Sequence, residues 1–492
     1  MLPLAPSLLR RGRTFLASGC AVLALGGGVR AEEVAATRTA SYARYAEELV
    51  ALAAWCDEQK VPQLAAYTRQ WQPIREPGKQ YIFFPSSSFT PPWKDASPSP
   101  QQIEWWQKFT ALRKKQAAAL FDLAKQALQA HQSRVAYELV VETVREFPDH
   151  EQARIIMGHQ KLEDAWYTPF AAVRVRGGDV WHEKYGWIPK GQVHRYEQGQ
   201  RFVNDHWIKA EEDARQHAAT GSGWRIDTEH YAVLTDHSLE EGVALSRRLE
   251  RLYTIWQQVF FTYHTSELEL AKLFSAATVQ RPTRKQHQVM CYRDRNAYNQ
   301  ALSPAEPNIG VTLGVYFYST RTVYFFAGEE QDEGTVNHEA THQLFQETRT
   351  VPKDFTKKAN FWVTEAVACY MESMLAHDGY VTLGGFQEGR VPAARERLLE
   401  NHFYIPLAEL TAIGVDALQR DERLPKIYSQ SSGLAMFLMH AGDGKYRDAL
   451  AAYVEAVYFG KADAGTLAKL TGKSYEELDR EYREFMAKPE GK

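Results

Sequence analysis

Cysteine, long apolar runs and an excess of either charge are all scarce in this sequence. The 492 residues include four cysteines, and Cys56, Cys291 and Cys369 are too widely separated for a disulfide framework or a metal-binding spacing. The 58 basic and 61 acidic residues nearly balance, which gives no electrostatic reason to expect nucleic-acid binding. What remains is the composition of a folded globular protein, long enough for about two or three domains.

The first 31 residues form a segment of their own. A basic stretch, Arg10–Arg13, precedes a stretch of apolar and small residues, Phe15–Val29. A plausible cleavage site for a signal peptide follows and ends at Ala31. This pattern predicts a secretory signal over residues 1–31 and export to the periplasm or the extracellular space. The apolar stretch is shorter than the about 20 residues of a spanning helix. The alternatives are an uncleaved anchor or lipidation at Cys20, and only these would attach the protein to a membrane.

Residues 32–162 carry helical periodicity that a loop rich in proline and serine interrupts. Helices are expected from about Thr37 to Gln72 and from Gln101 to Leu162. The segment from Val135 to Gly158 resembles a tetratricopeptide-type hairpin, a resemblance that would allow this region to bind a protein partner. A free-standing array of this kind needs about three or more units, so the simpler alternative is a helical pair that packs on its neighbours.

Residues 163–223 differ from the helical region before them. This region consists of short segments in which apolar and polar residues alternate, and it contains Trp166, Trp181, Trp187 and Trp207. The pattern predicts a small β-rich module or a segment that straps over the rest of the protein. Aromatic residues in such a module could bind a ligand but more often fill its core. A linker near Gly221 follows, so both N-terminal regions are expected to lie apart from the C-terminal domain.

Residues 224–492 begin with strand patterns and continue with helices, which is typical of an α+β fold. Strands are predicted at Tyr231–Leu234 and Val289–Tyr292. Gly314–Tyr318 and Thr322–Phe326 form a predicted hairpin that is rich in aromatic residues. The chain is therefore expected to have a small sheet with helices, preceded by a mainly helical region.

A helical segment after this hairpin carries His338, Glu339 and His342. Thr335 is the expected N-cap, and apolar residues at helical spacing predict that one face is buried. The two histidines are one turn apart on the same face, so both imidazoles can bind one Zn²⁺ ion. Glu339 lies beside them, where it can accept a proton from water instead of binding the metal. The pattern predicts one zinc ion per chain.

A zinc ion that acts in catalysis needs a third protein ligand and an open fourth position. Glu365 interrupts an otherwise apolar helical segment, where a carboxylate is costly unless it is paired or coordinated. It is therefore the expected third ligand. The alternative is that Glu365 is solvated and that Glu372 binds the metal.

The two segments together resemble the gluzincin superfamily of zinc metallopeptidases, and in particular a peptidase-MA-like family of bacterial exported proteins of unknown function. The resemblance rests on the run from His338 to Phe345, the Trp-Val-Thr-Glu-Ala segment around Glu365 and the aromatic strand Thr322–Phe326. It implies hydrolysis of a peptide or protein substrate, with Thr322–Phe326 as an edge strand that holds the substrate backbone. Ala366 departs mildly from the glycine that is usual in the family. The aminopeptidase motif is absent, so the resemblance favours an endopeptidase.

The resemblance also points to a hydrogen-bond donor for the oxyanion that forms during hydrolysis. Tyr428 begins a segment like the one in gluzincins whose leading tyrosine has this role. His402, Tyr404 and His440 are competing candidates. A different class of function stays open, namely a non-catalytic protein-binding scaffold with a structural or vestigial zinc site.

Overall fold

The computed structural model of the protein describes residues 30–94, 97–218, 220–276 and 285–488. All but the last two residues of the predicted signal segment lie outside these ranges, so that segment stays a prediction. The predicted α+β class is confirmed, because helices and small sheets are mixed along the described chain. Within these ranges, no helix combines the length and the apolar character that crossing a bilayer requires. Cys56, Cys291 and Cys369 are buried, free thiols.

The N-terminal part is mainly helical, as predicted. Its elements are α1 (Ala31–Glu58), α2 (Pro62–Gln70), β1 (Lys79–Phe83), α3 (Pro100–Gln129), α4 (Ser133–Glu146) and α5 (Glu151–Ile156). The first predicted helix is divided into α1 and α2, because Lys60 has a positive φ of 57° and Pro62 occupies the first turn of α2. Strand β1 was not predicted. The tetratricopeptide resemblance of α4 and α5 stays a prediction.

Residues 160–216 form a repeat of hairpins, each followed by a short helix. Its elements are β2 (Gln160–Leu162), β3 (Ala165–Tyr167), α6 (Pro169–Arg176), β4 (Asp179–His182), β5 (Gly186–Pro189), α7 (Val193–Glu197), β6 (Gln200–Val203), β7 (His206–Lys209) and α8 (Ala210–Gln216). Trp166, Trp187 and Trp207 lie on the second strand of successive hairpins, about 20 residues apart. The β-rich character was predicted, but the repeat was not.

The tryptophans of this repeat contact the chain itself. The Lys161 ammonium lies 5.7 Å from the Trp166 ring and the Arg195 guanidinium 4.7 Å from the Trp207 ring, while Trp187 packs against Trp181. These contacts favour the interpretation that the aromatic residues stabilise the module over the alternative that they bind a ligand.

The C-terminal domain begins with a mixed sheet. Its elements from residue 224 to residue 384 are β8 (Trp224–Asp227), β9 (Tyr231–Thr235), α9 (Leu239–Val259), α10 (Phe261–His264), α11 (Glu267–Ser275), β10 (His287–Tyr292), α12 (Arg295–Leu302), β11 (Val315–Phe317), β12 (Thr322–Phe326), α13 (Glu333–Thr348), α14 (Phe361–Glu372), β13 (Leu375–Ala376) and β14 (Tyr380–Gly384). Strand order is β11-β12-β10-β9-β8, with β10 parallel to both neighbours and the outer two strands antiparallel to theirs. The predicted strands and the β11–β12 hairpin are confirmed.

The position of Thr322–Phe326 corrects one expectation. This strand, β12, pairs with β10 on one side and with β11 on the other, so it is not the edge of the sheet. The edge is β11, because the hairpin folds back over β12. A substrate strand could therefore pair only with Val315–Phe317 on this side of the sheet.

Helices complete the domain and enclose its core. They are α15 (Val391–Leu399), α16 (Leu407–Leu410), α17 (Val415–Gln419), α18 (Leu424–His440), α19 (Arg447–Tyr458), α20 (Thr466–Thr471) and α21 (Tyr475–Met486). Ser474 caps α21, as predicted. Helix α14 is buried along almost its whole length and lies among α13 and α18, so it is anchored on several sides.

Strand β1 joins the N-terminal part to this core, contrary to the expected separation. It pairs antiparallel with β14 over Lys79–Phe83, and Ile82 belongs to the same apolar core as α13 and α14. Tyr137 of α4 also stacks on Phe261 of α10, with ring centroids 4.5 Å apart. The proline-rich loop and the Gly221 linker therefore do not mark independently packed parts of the molecule.

Candidate metal centre

Helix α13 holds the two predicted histidine ligands. Its N-cap is Asp332 and not Thr335: the Asp332 carboxylate accepts hydrogen bonds from the backbone N–H and the hydroxyl of Thr335. Val336, Ala340 and Leu344 face the core, as their spacing predicted. His338 and His342 project side by side, and their Nε2 atoms are 3.2 Å apart.

Glu365 of α14 completes this group. Its Oε2 atom lies 3.3 Å from Nε2 of His338 and 3.6 Å from Nε2 of His342. Two ligand atoms at about 2.0–2.1 Å from a tetrahedral zinc ion lie about 3.3–3.4 Å from each other. The three donor atoms therefore have the mutual spacing that a single tetrahedral ion requires.

The charges of this group are arranged for a cation. Burial alone raises the pKa of the Glu365 carboxyl, but His342 and His338 lower it below its usual range. Glu365 thus stays ionised although its side chain is only 7% exposed. Zn²⁺ takes the place of the imidazole protons when it binds, and a carboxylate together with two imidazoles is a common donor set for this ion.

Glu372 lies behind His338 and not with the other donors. Its Oε1 atom is 2.7 Å from Nδ1 of His338, and both of its oxygens accept hydrogen bonds from Nε of Arg390, at 3.0 and 2.8 Å. A carboxylate on Nδ1 fixes the tautomer that presents Nε2 to a metal. The structure thus brings Glu365, and not the alternative Glu372, to the two Nε2 atoms.

A second group of possible donors shares His338. Cys369, Glu372 and Nδ1 of His338 also lie close together. Burial raises the pKa of the Cys369 thiol, so the thiolate that a metal prefers is disfavoured there. Arg390 already neutralises Glu372. The group containing Glu365 is therefore the better metal centre.

Glu339 faces the edge of the sheet. Its Oε2 atom accepts a hydrogen bond of 3.0 Å from the backbone N–H of Tyr316 in β11. Burial raises the pKa of Glu339, although His338 and His342 oppose the shift. A carboxylate with a raised pKa is a stronger base, which suits proton transfer near neutral pH.

Tyr428 lies at the candidate metal centre, whereas its competitors do not. Burial, together with the negative charge of the nearby Glu365 carboxylate, raises the pKa of the Tyr428 hydroxyl above the usual range. His440 instead shares a hydrogen bond with Tyr370, Tyr404 donates to Asp479, and His402 is exposed with a positive φ of 51°. Among the four candidates, only Tyr428 contacts a predicted ligand.

Sequence reasoning missed Arg390 and Tyr316. Arg390 stands alone before α15 and carries no motif, and Tyr316 acts through its backbone, which leaves no trace in the identity of the residue. Only the fold brings them to the site.

Comparisons with known proteins add no family assignment. No protein-family model matches the chain, and no curated protein matches it in sequence.

Proposed function

We propose that the protein is a zinc-dependent peptidase of the gluzincin type, with one zinc ion held by His338, His342 and Glu365. The observation that carries this proposal is the spacing of the three donor atoms, 3.2 to 3.6 Å, within a buried site. The position of Glu339 beside them supports a hydrolytic site over a purely structural one, in which four protein ligands normally close the coordination shell.

The residues have separate roles in the proposed hydrolysis. Glu339 takes a proton from the attacking water at its carboxylate, while the N–H of Tyr316 holds that carboxylate in place. Bound zinc would polarise the scissile carbonyl and make the water more acidic. Tyr428 donates its hydroxyl proton in a hydrogen bond to the carbonyl oxygen, where negative charge develops.

The substrate backbone is proposed to bind along β11. This strand is the sheet edge next to Glu339, so an extended peptide that pairs with it would pass in front of the metal centre. β11 thereby takes the role first assigned to Thr322–Phe326. An extended, unstructured segment inside a chain is the substrate that such an edge accommodates, which favours endopeptidase activity.

We also propose where the protein acts and what it contacts. Residues 1–31 favour export to the periplasm or the extracellular space, with membrane attachment only if the segment is retained or lipidated. The helical region of α1–α5 is proposed to contact a protein substrate or partner. The balanced charge still gives no reason to expect nucleic-acid binding.

The first test is metal content together with hydrolysis of an unstructured protein such as casein. Purified protein should carry about one zinc ion per chain. Glu339→Gln should keep the zinc and lose about 10²- to 10⁴-fold in kcat, because it removes the general base alone. Glu365→Gln should lose the zinc as well, and Glu484→Gln, on the exposed face of α21, is the control. Stoichiometric zinc without any hydrolysis would favour the scaffold alternative, and absence of zinc uptake would refute the metal centre.

A further inference from the structure

Arg390 reaches the rim of the metal centre with part of its hydrogen-bonding capacity unused. Its Nε atom donates to both oxygens of Glu372, which in turn accepts from His338. This contact anchors one edge of the guanidinium to the group that orients a proposed zinc ligand.

The other edge of the guanidinium is available. Within the described part of the chain, its two Nη atoms donate no hydrogen bond, and the Arg390 side chain is 43% exposed. Two parallel N–H groups on a planar guanidinium match the two oxygens of a carboxylate.

The free edge lies close to the reacting groups. The Arg390 guanidinium carbon is 5.7 Å from the centre of the Tyr428 ring, and the Tyr428 side chain lies near the Glu365 carboxylate. Glu372 and Glu365, which lie near it, are acids, and Arg390 supplies a positive charge beside them. An anionic part of a substrate that reached Tyr428 would therefore meet Arg390.

We propose that Arg390 binds a carboxylate of the substrate and makes the peptidase selective for acidic peptides. The inference rests on the proposed function and adds a substrate class to it. The carboxylate is either the C-terminus of the substrate or an acidic side chain near the scissile bond. Both present the same chemistry to the guanidinium, and matched peptides distinguish them.

The experiment uses the zinc-loaded full-length protein and a peptide that it cleaves. One pair of peptides differs only in a free or an amidated C-terminus, and a second pair has glutamate or glutamine beside the scissile bond. The carboxylate form of one pair should have a kcat/KM about 10- to 100-fold higher, as expected for a charge-assisted bidentate contact. In Arg390→Gln this ratio should fall to about one, and in Arg390→Lys to an intermediate value.

The controls separate charge, zinc and binding. Arg225→Gln removes the same charge from an exposed, carboxylate-paired arginine on β8, at the opposite edge of the sheet, and should keep the ratio. Because each ratio is taken within one preparation, any loss of zinc cancels. Calorimetric binding of the same peptides to zinc-loaded Glu339→Gln should give the same preference without turnover.

The two proposals fail in different ways. Cleavage of all peptides with ratios near one, or a ratio that Arg390→Gln leaves unchanged, would overturn the role of Arg390 alone. A zinc-loaded protein that cleaves no peptide would overturn the peptidase function and this inference with it.

Discussion

Glu372→Gln and Glu372→Ala should weaken zinc binding to different extents. Glu372 accepts from Nδ1 of His338 at 2.7 Å, and the two side chains are only 10% and 9% exposed. Because a hydrogen bond to a charged group contributes about 1.5–3 kcal/mol, its loss corresponds to about 10- to 100-fold in affinity. Glutamine retains an acceptor without the charge, so we expect about tenfold for Glu372→Gln.

Alanine should cost more than glutamine. Glu372→Ala leaves both the Nδ1–H of His338 and the Nε–H of Arg390 without their acceptor, so we expect a loss near the 100-fold end of the range. Neither variant removes a proposed ligand, so zinc should still bind stoichiometrically when it is in excess.

The assay is competition for zinc against a chromophoric chelator, with Glu484→Gln as the control for a glutamate on an exposed helix face. Wild-type affinity in Glu372→Ala would refute the orienting role of this carboxylate. Complete loss of zinc in Glu372→Ala, with zinc retained in Glu365→Gln, would instead make Glu372 the ligand.

The remaining predictions concern catalysis, the junction of the two parts and acid stability. Tyr428→Phe should retain zinc and lower kcat about 10²- to 10³-fold as the loss of an oxyanion donor, whereas Tyr404→Phe should not; equal kcat in both would refute the role of Tyr428. Ile82→Ala should lower the free energy of unfolding of the whole domain by about 2–5 kcal/mol in urea, because Ile82 is 1% exposed, and Ile74→Ala, at 91% exposure, should have little effect. A stable, zinc-retaining fragment that begins near residue 223 would contradict this coupling. Burial, together with the charge of Arg447, lowers the pKa of His440 from 6.5 to about 3. As the pH falls below 6.5, this histidine is therefore protonated in the unfolded chain before it is protonated in the folded protein, and the folded protein loses stability. From pH 7.5 to 5.5 this group should cost about 1.4 kcal/mol in zinc-free protein, and an equal acid loss in His440→Gln would refute its part.

Local patterns sufficed for several elements of this fold. The strands at Tyr231 and Val289 and the cap at Ser474 depend on residues close together in the chain, and the structure has them as predicted. Errors arose where a distant segment decides the outcome. β12 was predicted to be an edge strand, but β11 pairs with it and becomes the edge. β1 pairs with β14, which lies about 300 residues further along the chain.

For the candidate site, the sequence alone determined which side chains could bind a metal, because helical spacing places His338 and His342 on one face and an isolated carboxylate in an apolar helix marks Glu365. Tertiary structure decided which of two glutamates lies at the Nε2 atoms. Glu365 and Glu372 lie on one helix, and the packing of that helix against α13 places Glu365 at Nε2 and Glu372 at Nδ1 of His338. It also decided the places of Arg390 and the Tyr316 N–H. Their contribution depends on position relative to residues far away in the chain, and no local pattern encodes that distance.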